Sequence, residues 1–354
     1  HALAKRFDKV VVVDRRAPAH GSTMASTAML QFEIDTPLTE LSEKIGPSKA
    51  ARAWRRSWRA TQALVKLVEA EGVRCGMRRA DTLYLAGDSM GSRGLKEEMK
   101  ARHRTGLPGE FLDAERLRGA FGIDRTGAIF SPGAASADPV ALTQGLLHRA
   151  VSAGASLYSP VEIADVMATP HGVILDTGKH FVEAKYVVFC TGYELLKGIP
   201  RKGTKITSSW AIASRPHATL PTWLRNTLVW EAADPYLYMR TTPDGRLIVG
   251  GEDEDIDLAS YRARSMAHKT ARLTAKAKRL IPGLKFTLSR QWTGAFGESE
   301  DGLPIIDRVP DMPNCIAVMG FGGNGTIYGK IASEIVPTLL NGKPDRDADL
   351  FRFR

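Results

Sequence analysis

Two hydrophobic periods alternate along this chain, and their order predicts a mixture of strands and helices. Lys9–Val13 is a β-branched run, the pattern of a strand buried on both faces of a parallel sheet. Ala2, Leu3 and Phe7 before it read as the last turns of an amphipathic helix. A polar stretch of small residues, Gly21 to Met29, follows. Ser48–Glu71 then carries apolar residues at helical spacing, among them Trp54, Trp58, Leu64 and Leu67. Thr82–Ala86 predicts a strand, Leu95–His103 and Asp113–Phe121 helices, and Ala128–Phe130 a short strand ending in Ser131-Pro132-Gly133. Asp138 is an N-cap with Pro139 at the first helical position of Val140–Ala153. Ser156–Val161 is a strand, and Ile163–Met167, Gly172–Leu175 and His180–Glu183 form a meander turning at Thr177-Gly178. Tyr186–Phe189 is a second buried strand, running into Cys190-Thr191-Gly192-Tyr193-Glu194.

The second half continues the alternation. Ile206–Arg215 and Thr227–Trp230 are strands; Tyr236–Arg240 and Leu247–Val249 pair through the turn Thr242-Pro243-Asp244-Gly245. Ser260–Leu280 is a basic helix, Leu288–Thr293 a strand, and Cys315–Val318 a strand entering a glycine-rich loop before a helix to about Leu340. Sheet strands drawn from distant parts of the chain predict interleaved domains.

Composition bounds the class. The 354 residues, 43% hydrophobic and 25% charged, suit a globular chain with room for two domains. Cys75, Cys190 and Cys315 are far apart and lack metal-ligand spacing, so we expect a reducing compartment, the cytoplasm, and no disulfide framework. No apolar run reaches the roughly 18–20 residues of a membrane span. The formal charge of +10 raises nucleic acid, membrane surface or anion handling. In a nucleic-acid binder the Lys and Arg residues should cluster with interleaved aromatics; here they spread through helical stretches such as Arg52–Arg59 and His268–Arg279. We read these as solvated faces and expect no nucleic-acid partner.

Three segments carry candidate chemistry. The strand ending in Asp14 fits the second strand of a dinucleotide-binding unit, whose terminal carboxylate accepts hydrogen bonds from ribose hydroxyls. The glycine fingerprint lies about 20 residues before such an acid, which places it before residue 1. Val187-Val188-Phe189-Cys190-Thr191-Gly192 lets a backbone pass close to a flat ligand. Met319 to Thr326 feeds a strand through glycines into a helix N-terminus, an arrangement that favours anions and electron-rich groups. Each alone is also compatible with ordinary strand-to-loop chemistry.

Together, VVVVD, STMAST, VVFCTGYE, DGLPIID and GFGGNGTIYG in this order resemble the D-amino-acid oxidase superfamily of FAD-dependent oxidoreductases, which includes glycine and sarcosine oxidases. The resemblance covers nearly the whole chain. It implies an α/β fold, α+β overall, with a Rossmann-like FAD-binding domain (1–75, 130–200 and 292–354) and an interleaved substrate domain on a large mixed sheet (76–129 and 201–291). It implies FAD as cofactor. Asp14 matches the ribose acid, with Arg15 and Arg16 near the adenosine edge. Ser22, Thr23, Ser26, Thr27 and Met29 match the loop near the pyrophosphate and flavin, and Ile163 the residue whose backbone meets adenine. Thr191 and Gly192 match the loop against the dinucleotide. Gly322, Gly323, Asn324, Gly325 and Thr326 match the loop beneath the flavin's pyrimidine edge.

On the substrate side the resemblance places Tyr236 at a carboxylate-holding tyrosine. The partner arginine position is occupied by Phe296, in Trp292-Thr293-Gly294-Ala295-Phe296. A bidentate carboxylate clamp needs guanidinium geometry, which leaves Arg240 on the neighbouring strand as a substitute, or a larger amine as substrate. Tyr236 and Tyr238 share a strand face; Trp292 and Phe296 also read as core aromatics. His148, His171, His180 and His217 are isolated and read as structural or solvated.

The expected reaction is oxidation of a C–N bond of an amine or amino acid to an imine, with reoxidation by oxygen or an electron carrier. The alternatives are a flavin dehydrogenase of a C–OH substrate and an inactive, N-terminally truncated family member. As the fingerprint is expected before His1, this chain is expected to bind FAD weakly or not at all. About 25–30 upstream residues should restore binding.

Overall fold

The computed structural model describes residues 1–193, 204–216, 220–343 and 345–353. The strands are β1 (Val11–Val13), β2 (Met29–Leu30), β3 (Arg78–Leu85), β4 (Glu110–Asp113), β5 (Gly127–Ser136), β6 (Ser156–Tyr158), β7 (Asp165–Thr169), β8 (Gly172–Asp176) and β9 (Phe181–Ala184). Then come β10 (Val187–Gly192), β11 (Thr204–Ser214), β12 (Thr227–Glu231), β13 (Leu237–Thr241), β14 (Leu247–Glu254), β15 (Leu288–Ser299), β16 (Ile305–Arg308) and β17 (Cys315–Met319). The helices are α1 (Ser22–Ala25), α2 (Leu38–Ile45), α3 (Pro47–Glu71), α4 (Ser92–Arg104), α5 (Ala114–Phe121), α6 (Pro139–Ser152), α7 (Ala259–Leu280) and α8 (Gly325–Leu340).

Local chemistry explains most of these ends. Asp138 caps α6, accepting from Val140 N and Ala141 N at 2.9 Å each, and Asp113 caps α5 through Arg116 N at 2.9 Å. Pro47 opens α3, and Gly72 closes it in the left-handed conformation. Its buried positions, Ala50, Ala53, Trp54, Ser57, Thr61, Leu64, Val65 and Val68, recur at three- and four-residue spacing. They meet Ile327, Ile331 and Ile335 of α8 in the largest apolar cluster.

Nine strands form one mixed sheet. Its path runs β15-β11-β14-β13-β12-β3-β5-β2, with β4 on β5; β12 and β3 are parallel, the other pairs antiparallel. One face packs on α7, where Leu273, Ala277 and Leu280 join Trp210, Ile212, Met239 and Val249. Smaller sheets are β1-β6, parallel; β10-β17-β16; and the meander β7-β8-β9. The α/β architecture with a large mixed sheet is as expected.

Several local expectations are corrected. His1–Phe7 forms turns rather than helix, with Arg6 N and Phe7 N both donating to Leu3 O. β1 is not buried on both faces: Val11 is 50% exposed, because the strand pairs only with β6 and borders a cavity. β5 continues through Ser131-Pro132-Gly133, where the register shifts opposite Ala80–Thr82 and Gly133 takes φ +94°. α2 was not predicted; its N-terminal Leu38 N and Thr39 N donate to the buried carboxylate of Glu98 from α4, at 3.0 and 2.9 Å. The expected domain cuts at 130 and 292 fall inside β5 and β15. Both strands belong to the nine-stranded sheet.

The basic stretches are not simply solvated faces. Arg52, Arg56 and Arg59 bind Asp345, Asp347 and Asp349, and the Arg56 side chain is only 7% exposed. On α7, Lys269, Arg272 and Lys276 converge on fully buried Glu252, the last two at 2.6 Å. Much of the positive charge on these two helices therefore neutralises carboxylates that packing has wholly or partly buried. His148, His171 and His180 lie away from the cavity. Glu194 and His217 lie outside the described residues.

Candidate active site

A cavity of about 3090 Å³ runs between the β1-β6 pair, the β10-β17-β16 sheet and the open face of the nine-stranded sheet. At one end β1 delivers Asp14. Its Oδ1 accepts from Arg16 N at 2.9 Å, and Arg15 lies 4.0 Å from Glu162. Ile163 lines this end just before β7 begins. The middle is lined by Ser22 and Thr23 of α1, by Ser26, Thr27 and Met29, and by Thr191 and Gly192 at the end of β10. Ser26 Oγ accepts from Ala28 N at 3.1 Å, closing the loop into β2.

The far end is built from three pieces, two of them dependent on glycine. The loop Gly322–Asn324 directs the start of α8, a 16-residue helix, at the cavity, so unpaired N–H groups and the positive dipole end point inward. Strand alternation in β13 sends Leu237 and Met239 into the core and leaves Tyr236 and Tyr238 facing the cavity. Tyr238 lies across Gly250 of β14, where a Cβ would come within 2.3 Å of its ring. Trp292 and Phe296 of β15 line the same end, half-buried, rather than entering a core. Trp292 Nε1 donates to Ala25 O at 2.9 Å and ties β15 to α1.

Every expected cofactor residue, from Asp14 to Thr326, thus lines one continuous cavity, together with Tyr236 and Phe296. Arg240 does not. It sits on the Tyr238 face, deeper in the sheet and only 4% exposed. Its guanidinium donates to Thr27 O, Ala137 O (3.1 Å) and Thr241 O (3.2 Å). Burial first, and Arg78 second, push its pKa down to about 10. Three backbone carbonyls take its donors, so the expectation that it meets a substrate carboxylate is corrected: it holds the Thr27 loop against β13.

Sequence reasoning passed over several groups. Asp35, after β2, lines the cavity; its Oδ2 accepts from Gly323 N at 2.7 Å and Asn324 Nδ2 lies 3.5 Å from Oδ1. A Cβ on Gly323 would approach both carboxylate oxygens at 3.1 Å. Burial pushes the Asp35 carboxyl up to about 6; the Gly323 N–H opposes this, while Glu298 and Asp253 add to it. Tyr236 Oη donates to Asp253 Oδ2 at 2.7 Å, and burial pushes Asp253 likewise to about 6. Tyr84 and Trp230, stacked at 5.0 Å between centroids, line the same region. Only the FEID stretch, with an acid after an apolar run, hinted at Asp35.

The residues present fit a dinucleotide. The cavity is continuous, carries a strand-end carboxylate at one end and has an N–H-rich helix terminus at the other. Among the described residues no group of three or more His, Cys, Asp and Glu is arranged to hold a metal, and no helix is long and apolar enough to cross a membrane. Cys75, Cys190 and Cys315 are all free.

Comparison with known proteins agrees. The chain is 24% identical over 353 residues to glycine oxidase of Geobacillus kaustophilus (strain HTA426), spanning 96% of this chain and 89% of that one. L-Proline dehydrogenase from P. horikoshii shares the fold with a TM-score of 0.79 at 19% identity, covering 99% of this chain and 91% of that one. L-alpha-Glycerophosphate oxidase from Mycoplasma pneumoniae, solved with FAD bound, does so with a TM-score of 0.79 at 14% identity, covering 99% and 93%. The family model described as FAD dependent oxidoreductase (DAO) matches residues 1–336, and the chain belongs to that family of FAD-dependent enzymes.

Proposed function

We propose that this enzyme oxidises the C–N bond of an amine or amino acid to an imine. The observation that carries the reading is the make-up of the substrate end: Tyr236, Tyr238, Trp292 and Phe296 supply an aromatic wall, and the ionisable group nearest the Gly322–Thr326 loop is a carboxylate, Asp35. Bound FAD supplies a two-electron acceptor for the hydride equivalent.

The chain's part is to bind, orient and exclude water. Asp14 accepts ribose hydroxyls, with Arg15, Arg16 and Ile163 around the adenosine, and Ser22, Thr23, Ser26, Thr27, Met29, Thr191 and Gly192 along the middle. Gly322, Gly323, Asn324, Gly325 and Thr326 present the α8 terminus, which favours negative charge developing beside it. Tyr236, fixed by Asp253, and Phe296 align the substrate. No strong base is required once the amine is unprotonated. The electron acceptor that returns the enzyme to its oxidised form is oxygen or an electron carrier. We also propose the interleaved domain division, with β5 and β15 assigned to the substrate side.

The test is anaerobic mixing of the protein in excess FAD with amines, amino acids, hydroxy acids and glycerol phosphate. Bleaching of the flavin band by amino compounds is expected. Bleaching by C–OH compounds alone overturns the reading.

A further inference from the structure

The substrate end of the cavity presents carboxylates where the resemblance calls for a guanidinium. Asp35 and Glu298 line it, and Asp253 stands behind Tyr236. The cations nearby are already engaged. Lys44 pairs with Glu40 at 2.8 Å, Lys205 with Asp255 at 3.2 Å and Glu298 at 3.5 Å, and Arg262 with Asp257 at 3.3 Å. Arg240 is spent on backbone carbonyls, and Phe296 stands at the clamp position. Asp35 has no cationic partner among the described residues. The Gly323 N–H and Asn324 fix its orientation and leave its remaining lone pairs for the cavity. Tyr236 and Tyr238, 5.8 Å apart between centroids, add π-faces that favour a cation.

We propose that Asp35 is the specificity-determining residue that binds an ammonium group of the substrate, and that the substrate is a diamine, whose other nitrogen is the unprotonated one that is oxidised, rather than an α-amino acid. The proposal rests on the C–N reading above. A carboxylate open to the cavity, with two more carboxylates close by, attracts a cation and repels a substrate carboxylate. The second effect is the discriminating one: the described cations near this end, Lys44, Lys205 and Arg262, are each paired with a carboxylate. The groups facing Asp35 are Tyr236 from the start of β13, Tyr193 after β10, Glu298 on β15, Asp253 on β14, and the Gly323 amide. All the side chains among them are neutral or negative. Since Asp35 titrates near 6, amine affinity should fall as pH drops through that value.

The test uses the protein with saturating FAD and four probes: n-butylamine, putrescine, glycine and acetate. Dissociation constants come from perturbation of the flavin band. The shift in thermal midpoint on adding each probe is a second readout that needs no flavin. The two amines should bind at least about tenfold more tightly than glycine or acetate. Asp35→Asn should weaken amine binding about tenfold or more without weakening acetate, and Asp35→Glu should restore part of it. Tighter binding of glycine or acetate than of the amines overturns the proposal. So does amine affinity within twofold of wild type in Asp35→Asn. Amines that bleach the flavin independently of Asp35 refute this inference and leave the C–N reading standing. Asp35-dependent amine binding without bleaching refutes that reading and leaves the recognition role intact.

Discussion

Replacing Arg102 by Met tests how the substrate end is supported. Arg102 is 1% exposed and bridges two equally buried acids, Glu98 at 2.8 Å and Glu33 at 3.6 Å, with its guanidinium 4.6 Å from the Trp54 ring centroid. Glu98 receives the N–H groups that start α2. Glu33 lies two residues before Asp35, and its carbonyl accepts from Asn324 Nδ2 at 2.7 Å. Met fills similar space but leaves both carboxylates without their cation, a change that costs about 3–5 kcal/mol. With an unfolding entropy of about 2.1 cal/mol/K per residue, 354 residues give about 0.74 kcal/mol/K, so Tm should fall by roughly 4–7 °C. The sign with pH follows from the carboxylates. Burial pushes Glu33 up; at Glu98 burial also pushes up, but Arg102 and the α2 N–H groups outweigh it and hold it down. Without Arg102 both folded-state values rise, so the variant binds protons on folding and loses stability as pH increases. Thermal unfolding followed by far-UV circular dichroism should show a larger deficit at pH 8 than at pH 5. Arg79→Ala, which breaks the exposed Arg79–Glu69 pair, is the control, worth under about 1 kcal/mol. A deficit in Arg102→Met no larger than the control's, or one that grows as pH falls, refutes the reasoning.

Three further outcomes are expected. Asp14→Ala should weaken FAD binding by about 10–100-fold in a fluorescence titration, the worth of hydrogen bonds to a charged acceptor; unchanged affinity would remove Asp14 from the cofactor site. Asp253 titrates near 6 in the fold, well above an ordinary Asp, so its ionisation destabilises the protein as pH rises through that value. Asp253→Asn should therefore raise Tm more at pH 8 than at pH 5, and a uniform shift would contradict the assignment. Arg240→Met should lower stability by at least about 1.5–3 kcal/mol through loss of its carbonyl bonds while leaving the ratio of amine to acetate affinity unchanged. A change in that ratio would return Arg240 to the substrate site.

The end of the cavity expected to hold the cofactor was more legible than the end expected to hold the substrate. Asp14, the Ser22–Met29 loop, Thr191–Gly192 and Gly322–Thr326 are contiguous pieces whose chemistry depends on backbone and strand ends, and such features leave local signatures. The substrate end is assembled from β13, β14, β15 and the segment after β2. Which face of each strand meets the cavity depends on register between segments more than 200 residues apart, as for Arg240 and Thr27. Asp35 and Arg240 show both directions of error: an acid in a loop was passed over, and a strand arginine was credited with a substrate it does not face.

By itself, then, the sequence determined the alternation of strands and helices, the capped helix starts and the ordered motifs of an FAD-dependent oxidoreductase. These depend on residues within a turn or two of each other. Only the tertiary structure decided what the charges do. It sent Lys269, Arg272 and Lys276 onto buried Glu252, spent Arg240 on three carbonyls and left Asp35 facing the cavity with no cationic partner among the described residues. Whether a charge is solvated, paired or kept for a ligand depends on what packing brings within a few ångströms of it, and that neighbourhood is not written in local order.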